Sequence, residues 1–316
     1  MSDQLPDEVR ALLQRRADAR AVRDWETADR LRDELRERGW EAIDNASGST
    51  ARAMLSPAAS ASYLDDDAEL GSLLDEPATV AASLVVVVED HPADAERLSA
   101  GLERHAQAVP HQLLVVANAP SNEVDLAGAT TLRVRARLGW ADAVNLGLRR
   151  AGGAVIVLLD TSVEPAGDFL GPLLAAFDDP RVGVAGPWGV ISDDGRQFSE
   201  APPGEVDAVE AYCLAIRRRA LGQVGGFDHR FRFYRNADLD LSFAIRANGW
   251  TAVATEPLPL VRHEHCGWLA HEPEERDRLS RRNFYRFLKH WGDRRDLLLH
   301  PAERDERGRR GLRTRR

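Results

Sequence analysis

An α/β fold, with a mostly parallel sheet flanked by helices and a small helical unit in front of it, follows from three features of the sequence. Ser83–Val88 is a continuous β-branched run without polar alternation, the pattern of a strand buried on both faces of a parallel sheet. Helical spacing follows through Ala95, Leu98, Leu102 and His105, then a second apolar run at Leu113–Ala117. That is a strand–helix–strand opening whose crossover is expected to be right-handed. At the front, Val9, Leu12, Leu13, Ala17, Ala21, Trp25, Ala28, Leu31, Leu35 and Trp40 recur mostly three and four apart. They make one apolar face of a helical pair, broken near Asp24 and ended at Gly39.

The remaining elements come in order. Leu132–Val134 reads as a short third strand, Ala141–Ala151 as a helix and Val155–Leu159 as a fourth strand. Val182–Ala185 is a further strand, Asp193-Asp194-Gly195 a hairpin turn, and Val206–Arg217 a long extended segment entering the helix before Gly225. Asp238 and Asp240 open a helix that runs on from Leu241 to Asn248; two acids in a first turn suit the helix dipole and are equally able to do chemistry. From Glu274 to Trp291, Leu279, Phe284, Phe287, Leu288 and Trp291 form an apolar stripe with arginines on the other faces. The expectation is a helix closing the domain against the sheet, with peripheral contact to an anionic membrane as the alternative.

Composition narrows the classes. The 316 residues are 43% apolar and 29% charged, which fits a globular chain with a sizeable core. A formal charge of -9 argues against a general nucleic-acid binder, which needs clustered Lys and Arg. Cys213 and Cys266 are the two cysteines, so neither a disulfide framework nor a four-cysteine zinc site is available, and a reducing cytosol is the expected setting. No signal-peptide progression opens the chain, and no run reaches the ~20 apolar residues of a spanning helix.

The boundaries read as a helical unit at 1–47, a linker at 48–79, a main domain at 80–296 and a basic tail at 297–316. The linker is rich in Ala, Ser and Asp, with Asp65, Asp66 and Asp67 in a row, and buries too little to offset its ordering entropy. It is expected to be a mobile tether. Gly308–Arg316 holds five arginines and no acid, a segment expected to be disordered and able to touch phosphate of lipid or RNA.

In the front unit, Arg16, Ala19, Arg20, Asp24, Trp25, Ala28, Asp29, Arg32, Asp33, Leu35 and Gly39 resemble the small C-terminal helical module of cysteinyl-tRNA synthetases. The resemblance implies RNA contact. Twelve acids against nine arginines in residues 1–44 leave no net basic surface, so a packing or oligomerisation unit stands ahead of RNA contact. Nothing in the chain resembles the aminoacylation core.

Within the main domain, Asp160 ends the fourth strand in Leu158-Leu159-Asp160-Thr161-Ser162. Ligands of open α/β sheets bind beyond the carboxyl ends of strands, and an acid there suits a divalent cation held against phosphate oxygens; an N-cap or turn role is the even alternative. The succession Ser83–Val88, Val115–Ser121, Gly139-x5-Asn145-x-Gly147, Leu158-Leu159-Asp160, Gly225-Gly226-Phe227-Asp228 and Asp238-Leu239-Asp240-Leu241-x4-Arg246-x2-Gly249 resembles the inverting nucleotide-sugar glycosyltransferases of family 2, which have the GT-A fold. It covers roughly residues 80–270.

The resemblance implies transfer of a sugar from a nucleoside diphosphate to a glycan, glycolipid or cell-envelope hydroxyl acceptor, with manganese or magnesium. It matches Asn118 and the adjacent Glu89 and Asp90 to nucleotide contacts, and Arg137, Gly139, Asp142 and Asn145 to the loop and helix start beneath the diphosphate. Asp160 matches the first acid of the D-x-D element, with Ser162 at the position of the second. Asp238 matches the general base, and His263 a histidine near the metal or diphosphate. Asp240 is assigned to helix anchoring, Asp228 to a turn, and Trp188, Tyr212 and His265 to structure. Three departures stand out: Ser162 is a neutral oxygen where an acid is usual, Ala237 removes the acid before Asp238, and Glu89-Asp90 replaces a Thr-x-Asn signature. They support a second hypothesis, a non-catalytic sugar-nucleotide or partner-binding module. The expected location is cytoplasmic, with lipid-linked acceptors drawing the protein to the inner face of the membrane.

Overall fold

In the computed structural model, the described residues run from 7 to 301, apart from 23, 38–39, 46–47, 54–62, 65–70, 106, 121–123, 125 and 127. The three aspartates of the linker and the arginine-rich tail lie outside them. The chain opens with α1 (Asp7–Ala21) and α2 (Trp25–Glu37), whose Val9, Leu12, Leu13, Leu31 and Leu35 form a small core. A hairpin follows, in which β1 (Trp40–Asn45) pairs antiparallel with β2 (Gly48–Ala53), Trp40 opposite Ala53 and Asn45 opposite Gly48. Trp40 therefore starts a strand instead of closing the helical stripe, and the segment read as linker begins as a paired strand. The sequence Gly48–Ala53 carries no apolar side chain larger than Ala, so backbone pairing, not hydrophobic pattern, defines it.

The remaining elements are β3 (Tyr63–Leu64), β4 (Val80–Val88), α3 (Pro92–Arg104), β5 (His111–Asn118), β6 (Thr130–Val134), α4 (Trp140–Arg150), β7 (Gly153–Leu159), β8 (Val163–Pro165), α5 (Leu170–Ala175), β9 (Val182–Gly186), β10 (Gly189–Ile191), β11 (Ser199–Glu200), β12 (Gly204–Val206), β13 (Ala208–Val209), β14 (Cys213–Arg217), α6 (Arg218–Val224), α7 (Ala237–Ala247), β15 (Thr251–Ala254), β16 (Leu260–Arg262), α8 (Cys266–Leu269) and α9 (Pro273–Trp291). Nine strands form one sheet in the order β12-β15-β9-β14-β7-β4-β5-β6-β3. The stretch from β7 through β3 is parallel throughout, and β14 is inserted antiparallel to both β7 and β9.

Alternate residues of the central strands divide between two cores. Val85, Leu114, Ile156, Leu158 and Leu214 face one side, and Leu84, Val86, Val115, Val157 and Leu159 the other. That division is why these strands read as unbroken apolar runs, each fully buried Val or Leu contributing about 1.5–3 kcal/mol. On the first side, α4 lies close because Gly147 has no side chain: a Cβ there would stand 2.4 Å from Cγ1 of Val85. The close approach sets the N-terminal end of α4, with Trp140, beside the strand ends.

Two expectations change here. Val206–Arg217 is not one extended segment but β12, β13 and β14, broken at the fully buried Asp207, whose carboxylate accepts from the amides of Ser192 (2.7 Å) and Leu299 (2.8 Å). Residues 71–79, read as tether, are held to the domain. The Leu73 amide donates to Arg149 O (2.7 Å), the Thr79 amide to Gly152 O (2.9 Å), and the buried Arg218 guanidinium donates to the carbonyls of Leu73, Glu76, Ala151 and Gly153. A buried guanidinium has no cheaper partners than carbonyls brought to it, so it draws the segment in.

The closing helix is where the apolar stripe places it. Phe287 of α9 meets Phe243 of α7 edge-on at 5.0 Å, and Trp291 Nε1 donates to Asp240 Oδ1 at 2.8 Å, so Asp240 anchors α9. Among the described residues, no helix is long and apolar enough to cross a membrane.

Candidate active site

The site lies where β4, β5 and β7 end, at Val88, Asn118 and Leu159. Asp160 is the first residue beyond β7. Its Oδ1 accepts from the amide of Ser162 (2.8 Å) and from the Ser162 hydroxyl, and its Oδ2 lies 3.3 Å from Nε2 of His265. The topology delivers that histidine. β16 runs antiparallel to β8 with Arg262 opposite Val163, and the His263 amide donates to Ser162 O at 2.8 Å. Carried past the strand end, this register sets position 265 opposite position 160. The ring of His265 stacks on Tyr234 (4.1 Å between centroids, planes within 7°). The Trp268 amide donates to Nδ1 at 3.3 Å, which leaves Nε2 to carry the hydrogen toward Asp160 in the neutral ring.

Burial by itself would raise the Asp160 carboxyl and lower His265. Their mutual attraction, with the Ser162 bonds on Asp160, outweighs it, so Asp160 is held below the usual carboxylate range and His265 above the usual imidazole value. Adjacent ligands around an octahedral ion with bonds of about 2.1 Å stand about 3 Å apart, close to the spacing of this pair; Nε2 would be open to a cation once its hydrogen had moved to Nδ1, with the Trp268 amide kept by its other acceptor, His265 O. Ser162 turns its hydroxyl onto Asp160, orienting the carboxylate. His263, matched to the metal in the sequence, pairs instead with Glu164 (2.9 Å).

Asp238 sits in the first turn of α7. Its Oδ2 accepts from the Ala211 amide (3.1 Å) and its Oδ1 from the Leu239 amide (3.0 Å). Burial is the largest influence and raises its pKa, opposed by these amides and by the charge of Arg235. Glu210, one residue before Ala211, is also raised, first by burial and then by the Asp238 charge, against the pull of Arg262, whose Nη1 lies 3.2 Å from its Oε2. Arg262 in turn lies over the rings of Tyr212 (4.9 Å) and Trp188 (5.5 Å). Sequence reasoning passed over Glu210 and gave His265 a structural role. In extended chain the two histidines of H-x-H share a face, so the pattern cannot say which of them reaches position 160 until the register of the paired strand is known.

These groups line two adjoining cavities. The larger, about 170 Å³, is lined by Asp160, Glu210, Tyr212, Tyr234, Arg235 and Asp238 among others; the smaller, about 50 Å³, by Glu89, His91, Asp94, Asp160, Ser162 and His265. Trp140, Asp160, Ala211 and His265 border both. Asp160, Ser162, Glu89 and Asp238 are thus brought together.

Three other matched residues do not line either cavity. Asn118 is fully buried and spends its amide on Glu89 Oε1 (2.8 Å), Leu138 O (3.2 Å) and the Leu138 amide (2.8 Å). Arg137 is held by Asp90 (2.6 Å) and Glu89 (3.3 Å), and its one positive charge offsets part of the two negative charges at the end of β4. Asn145 clamps the turn before α7, donating to Phe227 O (2.7 Å) and accepting from the Phe227 amide (2.8 Å). The turn needs glycine at 226, where φ is +106° and a Cβ would stand 2.5 Å from Oδ1 of Asn145. All three shape the site's walls from behind.

A separate trio, Asp228, Asp240 and His290, brings ligand atoms within 4.8 Å of one another. Arg230 is already bonded to Asp228 and lies 3.0 Å from His290 Nε2, so a guanidinium supplies the positive charge there.

A largely parallel sheet with acids gathered at its carboxyl edge, and an antiparallel strand set into it, make a GT-A-like fold. Residues 125–241 match Glycosyl transferase family 2, and residues 2–40 match the Cysteinyl-tRNA ligase anticodon binding domain. Residues 125–241 are thus similar to the family 2 glycosyltransferases. The chain is 28% identical over 148 residues to the N-acetylglucosaminyl-diphospho-decaprenol L-rhamnosyltransferase of Mycobacterium tuberculosis, a stretch covering 40% of this chain and 47% of that protein. It is 24% identical over 162 residues to the O-antigen biosynthesis protein RfbC of Myxococcus xanthus, covering 42% of this chain and 13% of that one. The chain thus spans about half the length of the first relative and much less of the second. The crystal structure of GalNAc-T7 with UDP, GalNAc and Mn2+ shares the fold with a TM-score of 0.56 at 15% identity, covering 69% of this chain and 50% of that chain.

Proposed function

We propose that the protein is an inverting glycosyltransferase that moves a sugar from a nucleoside diphosphate sugar to a hydroxyl of a glycan or lipid-linked acceptor. One observation carries the reading: Asp238, a carboxylate whose basicity is raised by burial, shares a cavity with Asp160, the acid beyond the strand end. The acceptor hydroxyl gives its proton to Asp238 as its oxygen bonds to the anomeric carbon. On the opposite face the bond from that carbon to the diphosphate oxygen breaks, and the electron pair leaves with the nucleoside diphosphate. A positioned base of this kind contributes about 10²- to 10⁴-fold. Asp160 and His265 would hold a divalent cation, manganese or magnesium, with Ser162 orienting Asp160; when bound, the ion neutralises charge on the leaving diphosphate.

The smaller cavity, with Glu89 and Ser162 beside Asp160, is assigned to the donor, and the larger, with Asp238 and Glu210, to the acceptor. The relatives named for a diphospho-decaprenol acceptor and for O-antigen biosynthesis support a cell-envelope precursor as that acceptor. Release of nucleoside diphosphate from a panel of nucleotide sugars, with and without manganese, tests the reading. Binding without release or transfer from any donor would favour the non-catalytic module, which Ala237 and the inward-turned Ser162 hydroxyl support.

A further inference from the structure

Two guanidinium groups beside the larger cavity stand outside the ion pairs of the fold. Arg235 lines that cavity and lies 5.2 Å from the ring centre of Trp268; Arg276 lies 5.3 Å from the same ring. Among the described residues neither guanidinium makes a hydrogen bond or salt bridge, and Nε of Arg276 is shielded from solvent without a partner. Arg262, Arg278 and Arg230 are paired, with Glu210, Glu275 and Asp228, whereas Arg232 and Arg282 are, like these two, outside the salt bridges of the described residues.

Arg235 immediately precedes Asn236, the N-cap of α7, and Arg276 lies at the start of α9, so both cations sit at the positive ends of helices. The two ends are tied together, Asn236 Nδ2 donating to Ser280 O (3.2 Å) and Asn283 Nδ2 to Arg235 O (2.9 Å). Two cations and two helix N-termini gather around one tryptophan and draw an anion, with Glu274 and Glu275 in the first turn of α9 as the opposing charges. Inside the cavity the opposite holds, because Asp160, Glu210 and Asp238 repel an anion.

We propose that Arg235 and Arg276, held on Trp268, form a subsite for a phosphate or diphosphate group carried by the acceptor. The hydroxyl end of such an acceptor enters toward Asp238 while its phosphate stays at the rim. The assignment to the acceptor rests on the transferase reading above; the anion subsite itself does not.

The test is calorimetric titration of the full chain with inorganic pyrophosphate in the absence of divalent cations, and separately with UDP plus Mn2+, for wild type and the double variant Arg235→Gln/Arg276→Gln. Pyrophosphate binding is expected to weaken roughly ten- to a hundredfold in the variant while UDP with Mn2+ binds as in wild type, which also reports that the variant is folded. Equal pyrophosphate binding by both proteins, or none by wild type, overturns the subsite. Loss of both ligands in the variant overturns the acceptor assignment, since the cluster would then hold the donor. Vesicles of phosphatidylglycerol in phosphatidylcholine distinguish a lipid headgroup: co-sedimentation that the variant loses, without pyrophosphate binding, overturns the acceptor assignment in favour of a membrane. If none of UDP, dTDP, GDP, ADP and CDP binds either protein in the presence of Mn2+ while pyrophosphate binding is lost in the variant, the subsite stands and the transferase reading fails.

Discussion

The Ala211 amide donates to Oδ2 of Asp238 across 3.1 Å, joining the loop before β14 to the first turn of α7. That bond fixes the carboxylate proposed as base and places Glu210 next to it. Burial nevertheless wins over the amides, and the Asp238 pKa is raised. A raised folded-state pKa means that the stability Asp238 confers is full below its unfolded value and is lost as pH rises through the folded value. Asp238→Asn removes the charge that the fold disfavours. At neutral pH the variant is expected to melt no lower than wild type by calorimetry, although it loses catalysis.

The same shift sets the pH profile. The base works when deprotonated, so activity should fall as pH drops through a value above the ~3.9 of a free aspartate. Glu210→Gln removes a like charge beside Asp238 and should move that acidic limb to lower pH. A limb that stays in place in kcat/KM profiles would show that the two carboxylates do not act on each other.

His265 and His263 differ in what they touch, Asp160 for the first and Glu164 for the second. His265→Ala should weaken the manganese dependence of UDP binding on the order of tenfold or more, while His263→Ala leaves it within twofold, about the scatter of such measurements. Thermal-shift titrations of manganese at fixed UDP read the difference directly.

Asn145 holds the turn at Phe227 by two buried hydrogen bonds. Asn145→Ala strands a buried amide and a carbonyl, and a loss of about 2–4 kcal/mol in denaturant unfolding is expected. UDP affinity of the folded fraction should be unchanged, which separates this wall-building role from nucleotide contact.

Much of this architecture was legible in the residues. Val85, Leu114 and Ile156 announce their strands because both faces of the sheet are covered, and Asp160 announces a site because it ends such a strand. The hairpin of Trp40–Ala53 was not legible, since the sequence of its second strand, Gly48–Ala53, holds no apolar residue larger than alanine. The breaks at Asp207 depend on its partner Leu299, distant in sequence. In the candidate site, Asp160 could be picked out from its place at a strand end, whereas Asp238 was separated from Asp240 by the family resemblance. Choosing His265 over His263 required the β8–β16 register, and Glu210 emerged only when β14 was set antiparallel against β7. Asn118 and Asn145 have side chains capable of binding a nucleotide, and the fold engages both itself, Asn145 on the backbone of Phe227 and Asn118 on the backbone of Leu138 and the Glu89 carboxylate.

The central claim is that Asp238 accepts the proton of the attacking hydroxyl. Its most direct test is turnover of a panel of nucleotide sugars by wild type and Asp238→Asn in the presence of manganese, with UDP binding measured alongside. Wild type should release nucleoside diphosphate about 10²- to 10⁴-fold faster than the variant, with both binding UDP equally. Equal turnover by the two proteins would contradict the claim.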